Sequence, residues 1–333
     1  MKNKKFRTLL VAGATLFSIS GLVSCNSTSQ FTIGILQPVE HDALSAARQG
    51  FEDKLAEMGL DNKKVKINYQ NANGNEADLN TLAKTLTSKC DLTLGIGTGA
   101  SVALQSAQVN SGSEKPIVFT AVTDAVSAGL VESNEAPGGY ITGSSDANPV
   151  EAQIDLIKEC IPGADKIGIL YTQSETNSEV QANQAKTEAE KEGMAVEVMT
   201  CTDSSDLSTV ANALCSKEGI DAIYIPTDNN IAANMPTVKA ALETYHVLCV
   251  TGEDNMMAQG GHVTLSISYY DLGKKAGEMA AKILNKEKSP SEIPVATMSL
   301  EECSYMMCSE NLTAAGINLP EEVVAKCTNK EAK

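Results

Sequence analysis

The chain has no tryptophan, five phenylalanines and eight tyrosines in 333 residues. With 4% aromatic residues, it has few flat surfaces on which a nucleobase or a sugar ring could stack. Basic residues are also scarce, 26 Lys and Arg against 42 Asp and Glu, for a net charge of −16. A phosphate backbone needs a basic surface, so nucleic acid is excluded as a partner. Histidine occurs three times, at His41, His246 and His262, too far apart for zinc-ligand spacing. No His-Glu-x-x-His or Gly-x-Ser-x-Gly segment occurs, so the common zinc-protease and serine-hydrolase signatures are missing. None of the nine cysteines sits in a Cys-x-x-Cys pair. No metal, no cofactor and no catalytic residues are expected.

Long apolar runs are missing too. Leu9–Val23 is largely apolar, but roughly 15 residues fall short of the ~20 that cross a bilayer. Lys2, Lys4, Lys5 and Arg7 precede the stretch, and polar Asn26–Ser29 follow it. That is the layout of a secretory signal peptide. Its end, Leu22-Val23-Ser24-Cys25, resembles the lipobox of bacterial lipoproteins. The resemblance implies cleavage before Cys25 and a diacylglycerol on its thiol. Residues 1–25 are then a lipoprotein signal peptide and 26–30 a flexible tether. The expected location is the extracytoplasmic face of a membrane, held by the lipid. Of the remaining cysteines, several lie in apolar segments, such as Cys249 in Val247–Val250, and read as buried free thiols. Cys303 with Cys308 or Cys327 is the pairing that export would make conceivable.

About 300 residues remain beyond the tether, natural for two domains. β-rich runs recur at Phe31–Leu36, Val65–Tyr69, Leu92–Ile96, Ile117–Thr120, Ile141–Gly143, Lys166–Tyr171, Ala195–Thr200, Ala222–Ile225, Val247–Val250, Val263–Ser266 and Ile293–Ala296. Helical patterns lie between most of them, such as Ala43–Met58 before Gly59, Glu76–Lys89, Ser178–Glu192 and Asp271–Asn285. Alternation at this pitch predicts α/β architecture with two Rossmann-like (flavodoxin-like) lobes, each a parallel sheet covered on both faces. The expected division is 31–143 with 252–291 for the first lobe and 144–251 with 292–333 for the second. The chain then crosses between lobes three times, near Ser144–Asp146, Thr251–Glu253 and Glu292–Val295. A monomer is expected.

Open parallel sheets bind ligands beyond the carboxyl ends of their strands. The residues there are His41 after the first strand, Gly97, Thr98, Gly99 and Ser101 after the third, and Thr123 and Asp124 after the fourth. Ser145 and Asp146 stand at the first crossing and Glu253 at the second. The second lobe contributes Tyr171, Ser174, Glu175, Asn177, Asp228 and Asn229. The glycine turn lacks both the Gly-Lys-Ser/Thr ending of a phosphate loop and the third glycine of a dinucleotide loop. It suits a small carboxylate at a helix start, or is simply a tight turn capped by Thr98 or Ser101. Asp124, Asp146 and Asp228 are candidates for holding an ammonium by charge-assisted hydrogen bonds, although such residues also cap helices and turns.

These stretches resemble the ABC transporter substrate-binding proteins of the type I periplasmic-binding fold. The resemblance is carried by Ile33-Gly34-Ile35 with His41 and Ala43-Leu44, by Phe119–Val126, by Ile141–Asp146, by Tyr224–Asn229, and by Tyr269–Gly273 with Ala276-Gly277. Where the family commonly has His-Pro, this chain has His41-Asp42, and Glu301–Glu310 is unusually rich in Cys and Met. The resemblance implies a receptor that captures a small zwitterion, an amino acid and in some members an aromatic one, by hinge closure, and hands it to an ABC permease and ATPase. Tyr171 and Tyr269 are the rings available to stack on such a ligand. On this reading the Gly97–Ser101 turn and Thr123 hold a carboxylate, Asp146 and Asp228 an amine, and Ser174, Glu175 and Asn177 close from the second lobe. The rivals are a nucleoside or sugar receptor of the same fold, a sensory ligand-binding protein of a signalling system, and, more remotely, a hydrolase using Asp124 or Glu253.

Overall fold

A computed structural model describes residues 30–333. Cys25 and the apolar segment before it lie outside the described residues. The first lobe runs β1 (Phe31–Gln37), α1 (Asp42–Glu57), β2 (Val65–Asn71), α2 (Glu76–Lys89), β3 (Leu92–Ile96), α3 (Thr98–Ser111), β4 (Ile117–Val122) and β5 (Ile141–Ser145). Its five strands are parallel in the order β2-β1-β3-β4-β5. Successive side chains of a strand point to opposite faces. Thus Ile33 and Ile35 enter one core with Ala47 and Phe51 of α1, and Leu36 enters the other with Leu86 of α2 and Leu104 of α3.

The second lobe continues with α4 (Val150–Cys160), β6 (Lys166–Thr172), α5 (Thr176–Lys191), β7 (Ala195–Cys201), α6 (Leu207–Cys215), β8 (Ala222–Ile225), α7 (Asn229–Ala233), α8 (Met235–Tyr245), β9 (Leu248–Thr251), α9 (Asp254–Gln259) and β10 (Val263–Ser266). The chain then forms α10 (Tyr269–Leu284), β11 (Ser304–Met307), α11 (Ser309–Ala314), α12 (Glu321–Lys326) and β12 (Thr328–Asn329). The second sheet has seven strands in the order β12-β11-β10-β9-β8-β6-β7, with β11 antiparallel to β10. The second lobe, too, is a doubly covered sheet. Ile167 and Ile169 meet α4 and α5 on one face, and Leu170 and Ile223 meet α6 and α8 on the other.

Two crossings fall later than the sequence pattern suggested. Residues 252–266 stay in the second lobe, because Val263 pairs with Val250 and packs into the second lobe's core. Ile267 is the first residue to enter the first lobe's core, so the second crossing is at Ile267–Ser268 rather than Thr251–Glu253. Ile293–Ala296 is not a strand, since Pro294 has no N–H to give a ladder. Ala296 makes one bridge to Ser144 and stays with the first lobe, so the third crossing follows it, between Ala296 and β11.

Helix α10 returns to the first lobe by lying against α1 at very short range. A Cβ on Gly273 would stand 1.9 Å from the Ala47 carbonyl oxygen, and one on Gly50 would stand 2.0 Å from that of Tyr270. The two helices therefore touch backbone to backbone, which fixes the start of α10 beside the start of α1. None of the eight described cysteines is paired, including Cys303, Cys308 and Cys327, and six of them are buried.

Candidate functional site

The strand tips of both sheets meet between the lobes. An inner cavity is lined from the first lobe and its crossings by His41, Leu44, Ala121, Thr123, Asp146 and Tyr269. From the second lobe come Asn177, Thr227, Asp228, Asn229, Ala232 and Glu253. Its free volume is about 10 Å³, room for one water-sized group. Asn177 and Asn229 also border an outer chamber of about 400 Å³. Pro38, Val39, Leu79, Val102 and Ala103 give that chamber an apolar wall, and Thr98, Ser174, Glu175 and Asn230 give it polar ones. No lysine or arginine lines either space.

Each polar group is held by the element that carries it. Asp146 follows β5, is buried, and accepts from Thr123 Oγ1 at 3.1 Å and Tyr269 Oη at 2.7 Å. It thereby ties the β4 tip to the first two crossings. Tyr269, expected only as a stacking ring, is placed here because Ser268 caps α10 immediately after the second crossing. Asp228 caps α7 by accepting from the Ile231 N–H, and its carboxylate also takes Thr172 N–H at 2.6 Å and Thr172 Oγ1 at 2.9 Å. Glu253 caps α9 through the Asn255 and Met256 N–H groups. Glu175 accepts from the backbone N–H groups of Asn229 and Asn230 and from the Asn229 side chain at 2.8 Å. Across the cleft, His41 Nε2 lies 3.1 Å from Asn229 Oδ1, a direct bond between lobes.

The electrostatics follow from burial. Desolvation penalises charge and raises Asp146 and Asp228 above the usual carboxylate range. It pushes Glu253 up to about 7, against the pull of its helix N–H groups. It pushes Glu175 up to about 8, with Asp228 adding to the rise. Burial lowers His41 to about 4, so its imidazole is neutral. A site with three buried carboxyl groups, a half-buried fourth at Glu175 and no fixed cation favours a ligand that brings positive charge.

The structure gathers His41, Thr123, Asp146, Asn177, Asp228, Asn229 and Glu253 around the inner cavity, and Thr98, Gly99, Ser174 and Glu175 around the outer chamber. Gly97 takes φ +84°, near Asn229, and the Ser101 hydroxyl turns back to the Gly97 carbonyl instead of capping α3. The Thr98 hydroxyl is buried without a partner. Three expected residues are elsewhere. Asp124 closes a turn by accepting from Val126 N–H, Ser127 N–H and the Ser127 hydroxyl. Ser145 is spent on the Thr123 carbonyl. Tyr171 packs against the second lobe's core. Ala121 and Thr227 line the cavity without having been expected to. Ala121 holds φ +55° where the β4–β5 register shifts, a strained backbone of the kind found at ligand sites, and nothing in its side chain announces this.

Residues 32–331 match the model of the ABC transporter substrate binding protein family. The chain belongs to this family. It is a substrate-binding protein and not an enzyme. It is 34% identical over 331 residues to a protein of Clostridioides difficile (strain R20291) named Tyrosine-binding protein, covering 94% of this chain and 93% of that one. A Streptococcus pneumonia ABC domain solved in complex with L-Trp superposes with a TM-score of 0.84 at 33% identity, covering 90% of this chain and 99% of that one. A substrate binding protein with adhesive properties from Clostridium difficile, in a ligand-free, open structure, gives 0.68 at 35% identity, covering 91% and 100%. Identity is nearly the same in the two comparisons, so the lower score fits a difference in lobe arrangement. The His41–Asn229 bond likewise marks the present arrangement as a closed one. An ABC sugar transporter subunit from Rhodobacter sphaeroides at 15% identity and a glucose-galactose binding protein from Geobacillus stearothermophilus at 13% share the fold.

Proposed function

We propose that the chain is the receptor of an ABC importer that captures a free amino acid with an aromatic side chain. The observation that carries this is the pairing of two spaces between the lobes. One is a cavity of about 10 Å³ lined in part by the buried carboxyl groups of Asp146, Asp228 and Glu253, and it shares Asn177 and Asn229 with an apolar-walled chamber of about 400 Å³. The ammonium of an amino acid suits the first and an aromatic ring the second. Neutral donors remain for the carboxylate at the start of α3, namely Thr98, whose hydroxyl has no partner, and Gly99. The named ligands of two relatives, tyrosine and L-Trp, support the reading. Closure follows if the ligand binds the closed form more tightly than the open one, and a permease then meets the closed form.

The test is a thermal-shift and calorimetry panel of the twenty amino acids, several nucleosides and several sugars. Tyrosine, tryptophan or phenylalanine is expected to raise Tm most. Stabilisation by sugars or nucleosides alone would sink the proposal. We also propose that Cys25 carries a lipid that holds the receptor outside the cell membrane, on the strength of the Leu22–Cys25 segment. Wild-type protein is expected to partition into detergent and Cys25→Ala into the aqueous phase; equal partition refutes the anchor.

A further inference from the structure

His41 stands at the N-cap of α1, where a side chain ordinarily accepts from the helix's free N–H groups. It makes no such bond. The residue is 8% exposed and lines the inner cavity. One nitrogen is accounted for, since Nε2 meets Asn229 Oδ1 at 3.1 Å. The orientation of that amide is set on its far side, where Asn229 Nδ2 donates to Glu175 Oε2 at 2.8 Å. Asn229 therefore presents its oxygen to the imidazole, and Nε2 must be the nitrogen that carries the proton. In a neutral ring this leaves Nδ1 as a bare lone pair. Nδ1 is buried and has no partner.

A buried acceptor without a donor is costly and calls for one from the ligand. The cavity that His41 lines has room for one water-sized group, and its other lining residues include Asp146, Asp228 and Glu253 beside the apolar Leu44, Ala121 and Ala232. The bare imidazole nitrogen and the carboxyl oxygens can all accept, and an ammonium offers three donors. Building on the amino-acid reading above, we propose that the inner cavity is a socket for one unsubstituted ammonium group, with the Nδ1 lone pair of His41 among its acceptors. The receptor then takes free primary amines and rejects N-alkylated and N-acylated forms of the same molecules. The socket is complete only in the closed form, because Asn229 and Glu175, which set the His41 tautomer, belong to the other lobe.

The test has two arms. Calorimetry compares tyrosine and tryptophan with their N-methyl and N-acetyl derivatives, on wild-type protein and on His41→Ala. The derivatives are expected to bind wild type roughly 10- to 100-fold more weakly, with the penalty for N-methylation reduced in the variant. Nitrogen NMR of histidine-labelled wild-type protein reads the ring directly and does not depend on the variant folding. A protonated Nε2, and an Nδ1 resonance that moves when the amino acid binds, are expected. An N-methyl derivative that binds within about twofold of its parent, a protonated Nδ1, or an Nδ1 unmoved by ligand overturns the socket. Should no amino acid bind, the amino-acid reading fails by itself. Phenethylamine against N-methylphenethylamine then tries the socket, and equal binding, or none, overturns it.

Discussion

Two aspartates that follow consecutive strands, Asp124 after β4 and Asp146 after β5, have the same chemistry and different work. Asp146 is buried and is the acceptor for two buried hydroxyls, Thr123 and Tyr269. Asp124 is half-exposed and serves its own turn. Asp146→Ala strands both hydroxyls and removes a wall of the inner cavity. It is expected to cost about 1–3 kcal/mol of stability and at least 10-fold in amino-acid affinity. Asp124→Ala loses a local cap, about 0.5–1 kcal/mol, with affinity within about twofold of wild type. Urea titration and calorimetry on both variants check this, and equal losses of affinity would show that the two residues had been wrongly separated. The sequence could not distinguish them. Both follow a strand, and what separates them is that β5 continues straight into the crossing while the chain turns away at Asp124. Ser145 and Tyr171 were misjudged for the same reason. Position at a strand tip selects the end of the sheet, and the direction of each side chain is decided by neighbours far along the chain.

At the scale of elements, the first ten strands were legible because each is a short apolar run between turns, and helical spacing separates most of them. The crossings were not. Both lobes use the same βα pitch, so counting units does not reveal which sheet a unit joins. Val263 and Ile267 are both ordinary apolar residues, yet one enters the second lobe's core and the other the first's. β11 and β12 were invisible because Ser304–Met307 and Thr328–Asn329 carry little β-rich apolar pattern; β11 owes its pairing to the edge of β10, and β12 to the edge that β11 then provides. The close contact of α1 with α10 was present as Gly50, Gly273 and Gly277, but glycines within helices announce a close approach without naming the partner. This contact matters to the site. It holds Tyr269, the first residue of α10, within reach of Asp146 and near His41, which precedes α1.

For the whole molecule, closure changes the surroundings of His41, and this sets a pH dependence with a definite sign. In the closed form burial holds the imidazole at about 4, against the opposing pull of Asn229, Asp42 and Glu40. With the lobes apart, the ring meets water, the burial that lowered it is relieved, and it returns toward its ordinary ~6.5. Between those values the open form binds a proton that the closed form refuses. Affinity owed to His41 is therefore fully present above ~6.5 and is lost as pH falls toward ~4. The carboxyl groups facing the same spaces act in the opposite direction. Glu253, raised to about 7, and Glu175, raised to about 8, keep protons in the closed form, in the direction in which burial also shifts Asp146 and Asp228. Their contribution weakens as pH rises through those values, so the raw profile is a sum of opposed terms. A difference measurement isolates the imidazole: the ratio of Kd for His41→Gln to Kd for wild type, by calorimetry from pH 7 to pH 5. Protonation of the open form weakens the wild type alone, and the ratio is expected to shrink on the order of 20-fold across that range. A ratio that stays flat would mean that His41 keeps one environment whether the lobes are open or closed, and that the bond to Asn229 is no part of closure.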